Sequence, residues 1–186
     1  MFSLVIRAIK YILGEVNKPT KFKLSVDFEN IVLDYNMMES IYWSISLFRM
    51  TGYDENKIPE ILRNSKTVAI VGISDKAERD SFRVADYLRN NGFEIIPVNP
   101  VISDWKGLKA YPNLDSVPRD KKIDIVDIFR KSEAVSKIVE ESLEIHPKVI
   151  WMQEGVISED GARLAKENGI LVVMDRCMMK EHSRHK

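Results

Sequence analysis

The chain has 186 residues, 45% of them hydrophobic, with 28 Lys and Arg residues against 28 Asp and Glu residues. This composition excludes wholesale disorder, and the balanced charge gives no general attraction to nucleic acid or acidic partners. The length suits one ordinary domain with an extension. The single cysteine, Cys177, excludes an internal disulfide. A reduced thiol and the lack of a long apolar run predict a cytoplasmic protein without a membrane span.

Residues 1–53 have an irregular pattern that we interpret as an α+β extension of unknown role. Residues 2–13 have apolar side chains at helical spacing, which predicts a helix packed on protein, with a membrane-surface helix as the alternative. Residues 21–28 alternate as a strand does and can form a hairpin with 31–35, and 37–50 again has helical spacing. The apolar stripe of this extension needs covering, which suggests the hypothesis of a homodimer through it.

From residue 54 onward, apolar strands alternate with helices. The predicted strands are 66–71, 93–98, 123–129, 148–152 and 170–175, and the predicted helices are 57–64, 80–91, 131–145 and 158–169. Because the strands are apolar throughout, the pattern predicts an α/β fold with a parallel sheet of about five strands covered on both faces. Residues 101–118 have the pattern of an irregular loop, and residues 180–186 that of a terminal tail.

Each of four predicted strands is followed at once by polar or glycine residues. These segments are VGIS at 71–74, PVNP at 97–100, FRKS at 129–132 and QEGV at 153–156. In a parallel sheet, ligands bind beyond the carboxyl ends of the strands. Gly72 permits a tight turn, Ser74 offers a hydroxyl and an N–H, and the helix that follows can face an anion. An ordinary strand-to-helix turn explains Gly72 alone, but the convergence of four segments favours a ligand site.

The turn at Gly72 lacks the features of a dinucleotide-binding fingerprint. Residues 73–77 contain no further glycine, so the G-x-G-x-x-G pattern is absent. The second strand ends in Val98-Asn99-Pro100, without the carboxylate that would bind a ribose diol. Both observations argue against an enzyme that uses a nicotinamide dinucleotide, which stays an alternative.

Six motifs occur in the order and approximate spacing of the stand-alone coenzyme A-binding domain family. They are AIVGIS, SFRVADYL, GFEIIPVNP, VDIFRKSEAV, VIWMQEGV and VVMDRC. Residues 54–182 therefore resemble that family, which is related to the N-terminal domain of the alpha subunit of succinyl-CoA synthetase. The resemblance implies a Rossmann-like, doubly wound domain over residues 54–186 that binds coenzyme A, a small-molecule ligand, across its strand ends.

The same resemblance implies binding roles for residues of all four segments. They are Gly72, Ile73, Ser74 and Lys76 at the phosphates, Val98, Asn99, Pro100 and Lys106 towards the adenosine end, Phe129 and Arg130 at a phosphate, and Gln153, Glu154 and Gly155 at the pantetheine arm. Arg130 can offer a fork of N–H donors, with a salt bridge to a neighbouring carboxylate as the alternative. Trp151 is more simply explained as a core residue.

The sequence offers no complete catalytic or metal-binding set. Ser74 has no histidine nearby in sequence to act as its base. The spacing of Cys177, Glu181, His182 and His185 matches no standard zinc pattern. Cys177 fits a small apolar residue at a strand end better than a partner for the thiol of coenzyme A.

Together these features predict a non-catalytic protein that binds coenzyme A or an acyl-CoA. The phosphorylated histidine of succinyl-CoA synthetase lies in a later domain, so the ligase activity is not transferred. One alternative is an enzyme dependent on NAD(P) or another nucleotide. The other is a ligand-sensing regulator, although residues 1–60 hold 7 Lys and Arg against 8 Asp and Glu and no basic recognition helix.

Overall fold

The computed structural model of the chain describes residues 57–186, and it confirms the predicted α/β class. Its main feature is a five-stranded parallel sheet with helices on both faces, which is the Rossmann-like arrangement expected from the sequence. The predictions for residues 1–53, which are the hairpin, the two helices, the boundary near residue 53 and the homodimer, lie outside the described residues.

Helices and strands alternate along the described chain. The helices are α1 Ile58–Asn64, α2 Asp80–Asn90, α3 Val135–Leu143, α4 Glu159–Glu167 and α5 Met178–Arg184. The strands are β1 Thr67–Val71, β2 Glu94–Val98, β3 Asp104–Trp105, β4 Leu108–Lys109, β5 Ile125–Ile128, β6 Val149–Met152 and β7 Leu171–Val173. A 3-10 turn, Ser132–Ala134, leads into α3.

The sheet has the strand order β2-β1-β5-β6-β7, and every pair in it is parallel. After β1 the chain moves to one edge to form β2. It then returns to the other side of β1 to form β5, and continues outward through β6 and β7. The connections that follow β1 and β5 therefore run in opposite directions, which leaves a crevice above the carboxyl ends of these two strands.

The strands are mostly apolar because each side of the sheet faces its own core. On one side, Val68 and Ile70 of β1 pack with residues of α1, α2 and α5. On the other side, Ala69 and Val71 pack with residues of α3 and α4. Trp151 of β6 is 0% exposed, which confirms its prediction as a core residue.

Local sequence signals explain where two of the helices begin. Pro59 lies in the first turn of α1, where its missing N–H costs nothing. The Ser158 hydroxyl caps α4 by accepting a hydrogen bond from the Gly161 N–H at 3.2 Å. Glu159 and Asp160 follow in the first turn, where negative charge suits the helix dipole.

The prediction of an irregular loop over residues 101–118 was wrong in one part. Strands β3 and β4 pair there as an antiparallel hairpin. Its turn is made by Lys106 and Gly107, with φ angles of 49° and 81°. Strands of two residues have no alternation that a sequence can reveal. The hairpin depends on tertiary contacts, among them a hydrogen bond from the Trp105 indole to the Ser74 carbonyl oxygen at 3.1 Å.

The prediction of a terminal tail over residues 180–186 was also wrong, because most of it belongs to α5. Glu181 is only 5% exposed, and its carboxylate lies 2.8 Å from the Arg184 guanidinium. The Nδ1 atom of His182 lies 3.1 Å from the Tyr87 hydroxyl, and burial lowers the pKa of His182. A charged helix of two turns has little pattern of its own and is stabilised by the side chains that it contacts.

Candidate functional site

The segments that follow β1, β2, β5 and β6 meet at the carboxyl edge of the sheet. The Gly72 N–H donates to the Val98 carbonyl oxygen at 2.8 Å, and the Phe129 N–H donates to the Val71 carbonyl oxygen at 2.9 Å. The Gln153 N–H continues the series by donating to the carbonyl oxygen of Ile128 at 3.3 Å, in the neighbouring strand. We call these four segments, residues 72–79, 99–103, 129–132 and 153–157, the strand-end site.

Gly72 occupies a position that only glycine can fill. Its φ is +93°, a conformation that other residues rarely adopt. A Cβ at this position would lie 2.6 Å from the Phe129 carbonyl oxygen and 2.8 Å from Cδ of Arg130. The segment after β5 therefore crosses directly against the Gly72 turn, and the Arg130 side chain lies beside it.

Ser74 uses most of its polar groups within the protein. Its N–H donates to the Ser81 hydroxyl at 3.1 Å, and its own hydroxyl accepts from the Lys76 N–H at 3.2 Å. Its carbonyl oxygen accepts from the Trp105 indole at 3.1 Å. These bonds fix the turn, and the hydroxyl proton of Ser74 is what this residue can still offer to a ligand.

Asn99 joins the end of β2 to the Gly72 turn. Its Nδ2 donates to the Ile73 carbonyl oxygen at 2.6 Å, and its Oδ1 accepts from the Val101 N–H at 3.0 Å. Ile73 is 0% and Val98 2% exposed, so these two predicted residues are buried beneath the site and are not open to a ligand. Pro100, by contrast, is exposed.

Two of the predicted cations lie in different surroundings. Arg130 is exposed, and its predicted alternative, an ion pair with a carboxylate, does not occur among residues 57–186. The Lys106 ammonium instead binds Asp86 of α2 and lies 5.7 Å from the centroid of the Phe82 ring. The structure thus keeps Arg130 at the Gly72 turn and holds Lys106 on α2, where a phosphate would compete with Asp86.

The segment after β6 is held by the elements that follow it. The Gly155 N–H donates to the Asp175 carboxylate at 2.7 Å, beyond β7. The Lys180 ammonium on α5 donates to Glu154 at 2.5 Å, and this carboxylate raises the pKa of Lys180. Two of the predicted residues, Glu154 and Gly155, therefore have structural partners that the sequence analysis did not foresee.

Asp127, which lies in β5 beneath the strand-end site, is a residue that the sequence analysis missed. It is 0% exposed in β5, and both of its carboxylate oxygens lie 2.9 Å from Nε2 of Gln153. Burial, only partly offset by the hydrogen bond from Gln153, raises the pKa of Asp127 to about 8. The available signal was a second aspartate, after Asp124, inside the predicted strand IDIVDIF.

Neither a metal centre nor a membrane span is found in the described part of the chain. Residues 57–186 contain no group of three or more His, Cys, Asp or Glu side chains placed to hold a metal ion. In the same residues no helix has the length and hydropathy needed to cross a bilayer. Cys177 is partly buried, and the His182 ring packs against Tyr87 and Phe93 at centroid distances of 5.7 Å and 5.3 Å.

Known proteins resemble this chain over the same region. Residues 66–183 match the sequence model of a family described as CoA binding domain. An uncharacterized protein of Bacillus subtilis, YneT, is 42% identical over 127 residues, which are 68% of this chain and 93% of that protein. A hypothetical protein from Pyrococcus horikoshii has a solved structure with a TM-score of 0.68 at 37% identity, covering 72% of this chain and 93% of that one.

A more distant relative has a named activity. An ADP-forming acetate–CoA ligase of Archaeoglobus fulgidus is 27% identical over 119 residues. The aligned region is 58% of this chain but only 17% of the ligase. The similarity therefore concerns one part of that enzyme.

Proposed function

We propose that this chain, which belongs to the CoA binding domain family, binds coenzyme A or an acyl-CoA without catalysing a reaction on it. The Gly72 turn is the observation that carries the proposal. The absence of a Cβ at Gly72 lets the backbone after β5 and the side chain of Arg130 approach the turn closely. Close backbone approach beside a guanidinium that forms no ion pair within residues 57–186 suits a phosphate group.

The proposed ligand extends from the Gly72 turn in two directions. Arg130, with the exposed Lys76, supplies positive charge for the phosphates. Towards β2 lie Asn99, Pro100 and Val101; Val101 is 82% exposed, which gives an adenine ring an apolar side chain to cover. Towards β6, residues 153–155 supply polar groups for the pantetheine arm.

The end of β2 supports coenzyme A over a nicotinamide dinucleotide. A dinucleotide site needs a carboxylate there for the ribose diol. In this chain the position is Asn99, and both ends of its carboxamide are already bound to backbone groups. We therefore do not propose an NAD(P)-dependent enzyme as a second function. The thermal shift measurement below includes NAD so that it would detect binding of that cofactor.

The test is a thermal shift measurement on the full, ligand-stripped chain with coenzyme A, acetyl-CoA, NAD and ATP. A ligand at about 100 times its Kd stabilises the folded state by about 2.7 kcal/mol. We expect this stabilisation with coenzyme A and not with NAD. Arg130→Ala should reduce it. The matched control is Arg163→Ala on α4, which removes an exposed arginine paired with Asp160 and should leave it unchanged.

The outcomes separate the alternatives. A shift with NAD alone means that the strand-end site holds a dinucleotide and overturns the proposal. An equal loss of the coenzyme A shift in Arg130→Ala and Arg163→Ala would place the phosphates elsewhere. Turnover of acetyl-CoA by the purified chain would remove the non-catalytic part of the proposal.

Two further expectations belong to this proposal. We propose that the protein acts in the cytoplasm, because its one cysteine requires no oxidising compartment. The homodimer predicted through residues 1–53 stays a prediction, and sedimentation equilibrium of the full chain against a chain that begins at residue 54 tests it.

A further inference from the structure

Asp127 lies beneath the strand-end site and has a single polar side-chain partner among residues 57–186. Its side chain is completely buried, one residue before the end of β5. Both oxygens accept from the same amide nitrogen, Nε2 of Gln153, at 2.9 Å. Gln153 is the first residue after β6 and is itself only 4% exposed. A buried carboxylate with one amide donor is a pairing that stability alone does not favour.

Among the described residues, Gln153 is the side chain that stabilises the charge of Asp127. The residues in register with Asp127 are Ile70 on β1 and Trp151 on β6, both apolar at this position. The pKa of Asp127 is shifted by burial and by the Gln153 hydrogen bond, and by no charged side chain of the described residues. Because an ionised carboxylate can only accept hydrogen bonds, Asp127 determines, once it has lost its proton, which end of the Gln153 carboxamide points inward.

The other end of the carboxamide points outward. Oε1 of Gln153 accepts no hydrogen bond within residues 57–186. Yet no fully buried side-chain oxygen or nitrogen in the described residues lacks a partner. Oε1 therefore retains contact with solvent, at the point where the segment after β6 begins.

We propose that Asp127 is a positioning residue that holds the Gln153 carboxamide with its NH2 inward and its carbonyl oxygen towards the strand-end site, so that this position selects a hydrogen-bond donor on the ligand. The inference rests on the proposed function. It adds which partner donates in one hydrogen bond. The ligand group at Gln153 is an N–H or O–H donor, such as an amide N–H of the pantetheine arm, and not a phosphate or carbonyl oxygen. A site that requires a donor discriminates strongly against ligands that lack it.

The orientation can be measured without any ligand. Gln153 is the only glutamine in the chain, so selective 15N labelling of the glutamine side chain gives one NH2 signal pair. We expect this pair to shift with a midpoint near pH 8 as Asp127 loses its proton. The Asp127→Asn variant should abolish the shift. An NH2 pair that titrates equally in Asp127→Asn, or whose chemical shifts above about pH 8 are the same in the wild-type chain and in that variant, would overturn the proposal.

The ligand contact is tested by calorimetry with coenzyme A and with its adenine nucleotide fragment, which lacks the pantetheine arm. Gln153→Met removes the carbonyl oxygen and should weaken coenzyme A binding about five- to tenfold while leaving the fragment unaffected. The Asp127→Asn amide can donate to Oε1 at every pH, so the variant should show a similar loss above about pH 8, and its own affinity should not depend on the protonation of this position. In the wild-type chain, protonated Asp127 competes for Oε1, so affinity for coenzyme A relative to the fragment should rise as the pH passes about 8.

The proposed function and the positioning role of Asp127 can be refuted independently by these measurements. If the wild-type chain does not bind coenzyme A, the proposed function is wrong, while the NH2 titration still decides the role of Asp127. If coenzyme A binds but Gln153→Met weakens the fragment as much as coenzyme A, the contact to the pantetheine arm is refuted. Unchanged coenzyme A affinity in Asp127→Asn above about pH 8, where wild-type Asp127 is ionised, would refute the positioning role.

Discussion

Two aspartates at opposite ends of β5 have opposite electrostatic surroundings. At the amino edge of the sheet, Oδ2 of Asp124 accepts from the N–H groups of Lys66 at 2.8 Å and Thr67 at 3.1 Å. Its Oδ1 lies 2.8 Å from the Lys148 ammonium. Near the carboxyl edge, Asp127 has the carboxamide of Gln153 as its partner and no cation in the described residues.

The two pKa shifts follow from these partners. Burial opposes the charge of Asp124, but the hydrogen bonds from Lys148, Lys66 and Thr67 together outweigh it and lower its pKa. Burial of Asp127 is opposed by one neutral donor, and its pKa rises to about 8. The amino edge thus has its charges satisfied, whereas the carboxyl edge keeps a buried group whose protonation state can change near neutral pH. This difference is consistent with the proposed ligand site at the carboxyl edge.

We expect the largest loss of stability from a substitution of Gly72, at the carboxyl edge of the sheet. Gly72→Ala forces a Cβ to within 2.6 Å of the Phe129 carbonyl oxygen at a φ of +93°. Overlap and backbone strain together should destabilise the chain by about 3 kcal/mol, measured by urea unfolding. Gly155→Ala is the control, because Gly155 has a φ of +82° but no atom within 4 Å of the added Cβ. Equal losses in the two variants would mean that strain, and not the close approach of β5, explains Gly72.

The next largest effect is the pH dependence of the unfolding free energy that Asp127 causes. A carboxyl whose folded pKa is raised stabilises the fold below its unfolded pKa of 3.8, and this contribution is lost as the pH rises towards about 8. The unfolding free energy of Asp127→Asn relative to wild-type protein should therefore rise by up to about 1.4 kcal/mol per pH unit between about pH 5 and pH 7. Urea unfolding across that range measures it. A flat difference would show that Asp127 is ionised throughout.

For Asp124→Asn, we expect the stability difference from wild-type protein to have the opposite sign. A carboxyl whose folded pKa is lowered stabilises the fold above its unfolded pKa of 3.8, and this contribution is lost as the pH falls through the folded value. The variant should therefore be less stable than wild-type protein by about 2 kcal/mol at neutral pH, and the difference should shrink below pH 3.8. Asp115→Asn, which affects an exposed pair 3.9 Å from Arg119, should change stability by less than about 0.5 kcal/mol.

The smallest effect tests how the Gly72 turn is supported. Trp105→Phe keeps the apolar ring but removes the hydrogen bond to the Ser74 carbonyl oxygen, at a cost of about 1 kcal/mol. Because that bond fixes the turn, coenzyme A affinity should fall by a few fold in calorimetry. Trp151→Phe removes a comparable bond to the Arg176 carbonyl oxygen at 2.6 Å, on a segment outside the turn. Greater loss of affinity in Trp151→Phe than in Trp105→Phe would contradict this account.

The sequence by itself determined the class of fold and the edge of the sheet at which we propose the site. Both depend on local patterns, which are apolar strands alternating with helices and polar or glycine residues directly after four strands. Gly72 was identified in this way, and so was the family, since its motifs are contiguous in the chain. These local patterns do not predict which side chains contact each other.

Only the tertiary structure decided which partners those residues have. The β3–β4 hairpin, α5 and the Asp127–Gln153 pair depend on contacts between segments far apart in the chain, such as Trp105 with Ser74 and His182 with Tyr87. The same is true of Lys106, a predicted phosphate ligand whose ammonium is held by Asp86. A local pattern shows where a charged group lies along the chain. Whether that group is buried, paired or open to a ligand depends on the packing of distant elements around it.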